Sequence, residues 1–241
     1  MHIDLSTTNY LKIFFLLFTP IIILFFFKDE HNSFILTEFG LIESLTALFY
    51  LIAIFICTNL FLFAKGKHKL IFLVFLFLTL VFFGEETSYL QHYIGYETPE
   101  YFLKANHQKE FNFHNIITDG GSLTQALGDG KFDISILLKS QNLFNIGFAF
   151  YFLILPFLAF YSQSLKNIIN NFCIPIVGIR FIFSIWVPII FTVLIGFTDL
   201  NNETHLRLYY GETREMFFAF SILLYMYICR VQLVIKKGST N

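Results

Sequence analysis

The chain has 241 residues, of which 56% are hydrophobic, 20% aromatic and only 14% charged, where an ordinary soluble domain carries roughly a quarter charged residues. Mean hydropathy is +0.67 and phenylalanine alone fills 35 positions, in long apolar blocks, so disorder is excluded and a membrane protein is expected. A net charge of −1 leaves no basic excess to neutralise phosphates, which excludes a nucleic-acid binder, and Cys57, Cys173 and Cys229 lie inside apolar segments as small buried hydrophobes rather than as a disulfide framework or zinc cluster.

A spanning helix needs about 20 largely apolar residues. Six blocks meet that length, near 10–27, 41–64, 69–92, 143–162, 172–197 and 214–234. The expected fold is therefore an all-α integral membrane protein. It forms a single domain over 1–241, a bundle of about six transmembrane helices with a long outer loop over 93–142 that carries short interfacial helices. The first block contains Pro20 and has no basic run before it. It ends in Phe25, Phe26, Phe27 and Lys28 without a small-residue cleavage pattern, so it reads as an anchor rather than a signal peptide. The third is strongly apolar only from Lys69 to Phe83, and its last turns are polar.

Lysine and arginine placement sets the expected orientation. With both termini on the cytoplasmic side, the inner positions hold Lys12, the cluster Lys65, Lys67 and Lys69, then Lys166, Arg230, Lys236 and Lys237, with Asp4 as their one acid. The other sixteen of seventeen acidic residues fall on the outer side, as do five of seven histidines. The inner membrane of a bacterium is the expected location, with the polar chemistry on its outer face. In the outer loop, Thr98-Pro99-Glu100 supplies an N-cap, a first-turn proline and an acid. These predict an amphipathic interfacial helix over roughly 99–110, with Tyr101, Phe102 and Ala105 on one face. Asp119-Gly120-Gly121 and Gly128-Asp129-Gly130 are turn signals, and Phe132 to Leu138 suits either a short interfacial helix or a re-entrant segment.

The densest polar constellation is Gly84-Glu85-Glu86-Thr87-Ser88-Tyr89-Leu90-Gln91-His92. If the helix continues, Glu85, Ser88 and His92 share a face. Adjacent carboxylates at membrane depth are costly and tend to be kept for a task, and burial beside a like charge raises one of their pKa values into the range of acid/base work. The plain alternative, a solvated helix end, suits a lone glutamate better than this group. Glu43 opens the second block, and Glu212 and Glu215 open the sixth, where helix-dipole complementarity is a sufficient reason for them. Together these ends point carboxylates toward one outer-leaflet cavity. A second constellation, Asn106 to Asn115, offers His107, Glu110 and His114 as ligands for a divalent cation, though the spacing matches no standard zinc motif. Its amides, Asn106, Gln108, Asn112 and Asn115, suit fixed hydrogen bonding to a polar head group or to the first constellation. Asp199 to His205 reads as a turn, and Arg180 as snorkelling or paired near the inner side.

These residues, Gly84-Glu85-Glu86 with Ser88 and Gln91, then Gly95, Thr98-Pro99-Glu100, Asn106, Gln108, Glu110, Asn112 and His114-Asn115, resemble an uncharacterised group of bacterial multi-pass membrane proteins with the signature GEExSWxQ, G, TPE and NxQxExNxHN. Glu43-Ser44-Leu45-Thr46-Ala47 is a looser echo of the same group. Tyr89 stands where the group has Trp, and His92 lies outside the signature. The resemblance implies architecture and a choice of residues, and no reaction. A fainter similarity is to the alkaline-ceramidase-like membrane hydrolases, through the Ser-x-x-x-His spacing of Ser88 and His92. That superfamily's zinc site also needs a His-x-x-x-His pair, which this chain lacks, so the site is not carried over.

The function these residues suggest is a membrane-embedded, hydrolase-like enzyme that acts at the outer leaflet on a lipid or lipid-linked substrate by hydrolysis or group transfer. Glu85, Glu86 and Ser88 are the catalytic candidates, with one glutamate as general base. Gln91, Asn106, Gln108, Asn115 and Glu215 are the substrate-binding candidates, and His114 with Glu110 would hold a divalent metal if one is used. An ion-coupled transporter is the main rival, against which stand the almost purely apolar mid-helix regions. A structural or assembly subunit of a membrane complex is the third reading.

Overall fold

A computed structural model of the chain describes residues 2–3, 40–106, 109–113, 116, 140–198 and 204–238. The fold is predominantly helical. Four helices are long and apolar enough to cross a membrane, Leu41–Phe63, Lys67–Glu86, Asn142–Tyr161 and Gly211–Leu233, as a multi-pass membrane protein requires. They coincide with four of the six expected blocks. The block at 10–27 lies outside the described residues, and in the fifth the apolar helical stretch Ile179–Leu194 is shorter. Two compact units emerge, one of 1–79 with 156–241 and one of 80–155.

The first unit opens with β1 (His2–Ile3), which pairs in parallel with β2 (Ile176–Val177). Helix α1 (Leu41–Phe63) starts after Gly40 with Glu43 in its first turn, and α2 (Lys67–Glu86) begins in this unit. Helix α1 packs along the last helix of the chain, which runs Thr204–Gly238. Small side chains permit the approach: Ala53, Cys57, Ala219 and Cys229 are completely buried. Phe49 and Phe220 meet edge to face at 5.3 Å, and the buried Tyr225 donates its hydroxyl to the Pro175 carbonyl at 2.8 Å. Cys57 and Cys229 thus fill the core as expected. All three cysteines are free thiols, with Cys173 half-buried.

Two boundaries in this unit differ from the hydropathy reading. The fifth block is expected as helix from residue 172, but Phe172 and Cys173 form a turn, with Cys173 at φ 59, and residues 174–178 lie outside any helix. Pro175 explains part of this, because its ring pushes Ile174 out of the helical region. The last helix begins at Thr204 rather than near 214. Glu212 and Glu215 therefore sit inside it, not at its N-terminus, and the dipole explanation offered for them does not hold.

The second unit contains the end of α2, a distorted turn with the four-residue α3 (Gln91–Ile94), the short α4 (Glu100–Ala105), and α5 (Ser140–Ala149). Phe82 on α2 meets Phe144 on α5 edge to face at 4.6 Å. Helix α5 continues through a π-helical turn, Phe150–Ile154, into α6 (Leu155–Tyr161), where Leu155 N–H donates to the Phe150 carbonyl. Pro156 is the cause. It has no N–H to give Phe152 and its ring crowds that carbonyl, so the helix widens by one residue just before it.

Candidate functional site

Hydropathy predicts that helix α2 continues to residue 92, but it stops at Glu86. Beyond Thr87, three successive non-glycine residues take left-handed backbone angles: Ser88 (φ 46), Tyr89 (φ 53) and Leu90 (φ 66). Each costs about 1–2 kcal/mol against the right-handed alternative, so the turn persists only because its surroundings over-determine it. Consequently Glu85, Ser88 and His92 do not form the expected helical face.

Gly84 starts the compensation. A Cβ there would lie 2.7 Å from Cε1 of Tyr89 and 2.8 Å from Cδ1, so only glycine lets the ring fold back over α2. The Tyr89 hydroxyl then reaches Glu85 Oε1 at 2.7 Å, and Glu85 Oε2 accepts from the backbone N–H of Phe113 at 2.8 Å. Burial, and then the adjacent Glu85 carboxylate, raise the Tyr89 pKa above the usual tyrosine range, which keeps the phenol protonated as a donor. The left-handed run also turns two carbonyls away from helical partners. Tyr96 satisfies both, donating to Ser88 O at 3.0 Å and Tyr89 O at 3.2 Å, and burial raises its pKa as well.

The centre of the arrangement is Ser88. Its hydroxyl donates to Glu110 Oε2 at 2.5 Å. The Asn112 amide donates to Ser88 Oγ at 3.0 Å and to the same carboxylate oxygen at 3.2 Å. Asn112 is in turn fixed by Asn106, whose amide reaches its Oδ1 at 2.6 Å and its carbonyl at 2.9 Å. Ser88, Asn106 and Asn112 are each 2% exposed or less. Gln91 ties the loop at a second point, donating to Thr98 Oγ1 at 2.5 Å and accepting from Phe111 N–H at 2.8 Å. Around these groups Tyr89, Tyr96, Phe102, Phe111 and Phe113 form a contiguous ring cluster, with Phe102 and Phe111 edge to face at 4.8 Å.

The same bonds revise the interfacial helix. It spans six residues, Glu100–Ala105, not 99–110. Pro99 occupies the cap position, and Thr98 accepts from Gln91 instead of capping. Asn106 ends the helix in extended geometry and bridges to Ile116, and Lys109 turns the chain with φ 58. The three residues expected on one face also divide, since Phe102 is buried while Tyr101 is 64% exposed.

Of the expected site residues, Glu85, Ser88, Gln91, Asn106 and Glu110 are brought into one network. Glu86 is half-buried at the last position of α2. Glu215 belongs to the other unit, where it lies 3.5 Å from Arg214. Gln108, His114 and Asn115 lie outside the described residues, as do Asp119 to Gly130 and Phe132 to Leu138. Among the described residues no three of His, Cys, Asp and Glu gather as a metal-binding group. Asn112, one of the loop amides expected to bond to a head group or to the first constellation, bonds to Ser88 of that constellation, whereas the sequence assigns Tyr96 no role. Asn112 had a signal in the loop signature, whereas nothing local marked Tyr96. No family model, no curated protein and no solved structure matches the chain.

Proposed function

We propose that this chain is a membrane-embedded hydrolase or transferase that acts at the outer leaflet of a bacterial inner membrane, with both termini cytoplasmic, on a lipid or lipid-linked substrate. The observation that carries the reading is the Ser88 hydroxyl on the Glu110 carboxylate, positioned by Asn112 in a strained turn at the end of an apolar helix. A serine is a weak nucleophile until a base accepts its proton. In this scheme Ser88 Oγ attacks the phosphoryl or acyl centre and its proton passes to Glu110. The bond to the head-group oxygen breaks, and the departing oxygen takes the proton from Glu110. Water, deprotonated by the same carboxylate, then attacks the bound group; its bond to Ser88 Oγ breaks and Oγ takes the proton back from Glu110. Glu85, first expected as a base, serves here to position the turn through Tyr89 and Phe113. Because Ser88 is 2% exposed, the scheme requires the loop to part before substrate reaches it.

The test is to incubate purified protein with extracted membrane lipids and follow head-group release by mass spectrometry. Wild-type turnover that falls at least about a hundredfold in Ser88→Ala and Glu110→Gln, with thermal unfolding still cooperative, supports the reading; equal turnover in both variants overturns it. A second reading, a docking subunit of a membrane complex, is favoured by a specific feature of the same unit. Tyr93, Ile94 and Tyr101 are 71%, 68% and 64% exposed near the left-handed turn, and that reading predicts a stable co-purifying membrane protein.

A further inference from the structure

The first unit carries a different kind of surface, which the enzyme reading does not use. Helix α7 (Gln163–Asn171) is nine residues long and amphipathic. Leu165, Ile168, Ile169 and Phe172 recur at helical spacing on one side, while Lys166, Asn167, Asn170 and Asn171 fill the other. Ser162 caps it, accepting from Leu165 N–H at 3.3 Å. Ile169 is the inward anchor, 2% exposed, whereas Ile168 and Phe172 on the same apolar side are 52% and 60% exposed. The chain enters this helix from a spanning segment whose last residues, Phe160 and Tyr161, are 82% and 72% exposed.

Cations collect at the same place. Lys67, the first residue of α2, donates to the Asn171 carbonyl at 2.9 Å and lies 6.0 Å from the Phe172 ring centroid. That bond joins the start of α2 to the end of α7. Lys65, Lys67, Lys69, Lys166 and Arg180 are all exposed, and the stretches 61–69 and 162–181 contain no Asp or Glu. An apolar edge flanked by lysines and continuous with two membrane spans is what an interfacial helix on a negatively charged leaflet requires. We propose that α7 and the Lys65–Lys69 turn form a binding surface for anionic phospholipid, with the lysines on the headgroup phosphates and Ile168, Phe172 and Tyr161 in the acyl boundary. Free phosphate would meet the cations but would leave the aromatic edge in water, which is why the surface is assigned to lipid.

The experiment uses the full chain reconstituted in vesicles of phosphatidylcholine mixed with phosphatidylglycerol. After gentle detergent extraction, the retained lipids are quantified by mass spectrometry. Wild type is expected to retain phosphatidylglycerol above its share in the vesicle. Each of Lys67→Gln and Lys166→Gln should lower that enrichment by about fivefold, while Lys67→Arg should keep it. If Lys67→Gln does not fold, Lys166→Gln, which removes no internal hydrogen bond described above, decides alone. Retention that matches the vesicle composition in wild type overturns the proposal. So does full displacement of phosphatidylglycerol by inorganic phosphate at matched ionic strength, which would indicate a site for the free anion. Neither readout depends on turnover at Ser88, so this proposal and the enzyme reading stand or fall separately.

Discussion

The turn that follows α2 and the lysine-rich surface around α7 handle polarity in opposite ways. At the turn, a buried hydroxyl and two buried amides are bonded to one another and to the half-buried Glu110 carboxylate within the unit. Around α7, five cations face outward with no carboxylate in the local sequence. Buried polar groups must be satisfied internally, and once satisfied they hold a fixed geometry; an exposed lysine can also draw its partners from its environment, even where, like Lys67, it holds one internal bond. The proposed chemistry draws on the first, fixed arrangement, and the proposed lipid contact on the second, exposed one.

Substitutions should separate the two regions by size of effect. The largest is expected for Asn112→Ala, which removes the amide that donates to Ser88 Oγ and Glu110 Oε2 and one of the two acceptors of the Asn106 amide. It should cost about 1–3 kcal/mol for each buried group left unsatisfied, read as a lowered unfolding temperature in detergent. Gly84→Ala comes next. In a helix interior Ala normally gains roughly 0.5–1 kcal/mol over Gly, but here the Cβ meets the Tyr89 ring and the sign reverses, with a loss of about 1–3 kcal/mol from overpacking. Gly147→Ala on α5, where a Cβ would meet nothing within 4 Å, is the control and should be neutral or slightly stabilising. A Gly84→Ala protein as stable as Gly147→Ala would break the account of the turn.

A smaller effect is expected from pH. The Tyr89 pKa is raised in the fold by burial and by Glu85, so the folded state holds a proton that the unfolded chain loses at about pH 10. The contribution is complete below that value and is lost as pH climbs above it through the higher folded-state pKa. The difference in unfolding temperature between wild type and Tyr89→Phe should shrink on going from neutral pH to above about 10; a constant difference would mean that the phenol does not titrate with the turn. The smallest effect on stability is expected at the basic surface. Lys166→Gln should shift stability by less than about 0.5 kcal/mol while changing lipid retention.

The spanning helices were legible in the sequence because hydropathy over about 20 residues depends on little else. The two polar constellations were legible by type, and three expected residues of the first, Glu85, Ser88 and Gln91, do meet two of the second, Asn106 and Glu110. The shape of the first was not. The 3.6-residue period runs on past Glu86, and the left-handed turn that overrides it is held by Tyr96, Glu110 and Phe113, which lie 8 or more residues beyond Ser88 in the chain. Helix α7 was missed for a different reason. Its apolar residues repeat at helical spacing but form no continuous block, so a search for apolar runs passes over it and absorbs Phe172 into the next segment.

The central claim is that Ser88 and Glu110 act as nucleophile and base. The most direct measurement is head-group release from membrane lipids by purified wild type, Ser88→Ala and Glu110→Gln, with each variant's fold verified by thermal unfolding. The account predicts turnover in wild type and a loss of at least about a hundredfold in both variants. Wild-type turnover unchanged by either substitution, or no turnover by wild type on any lipid of the extract, would contradict it.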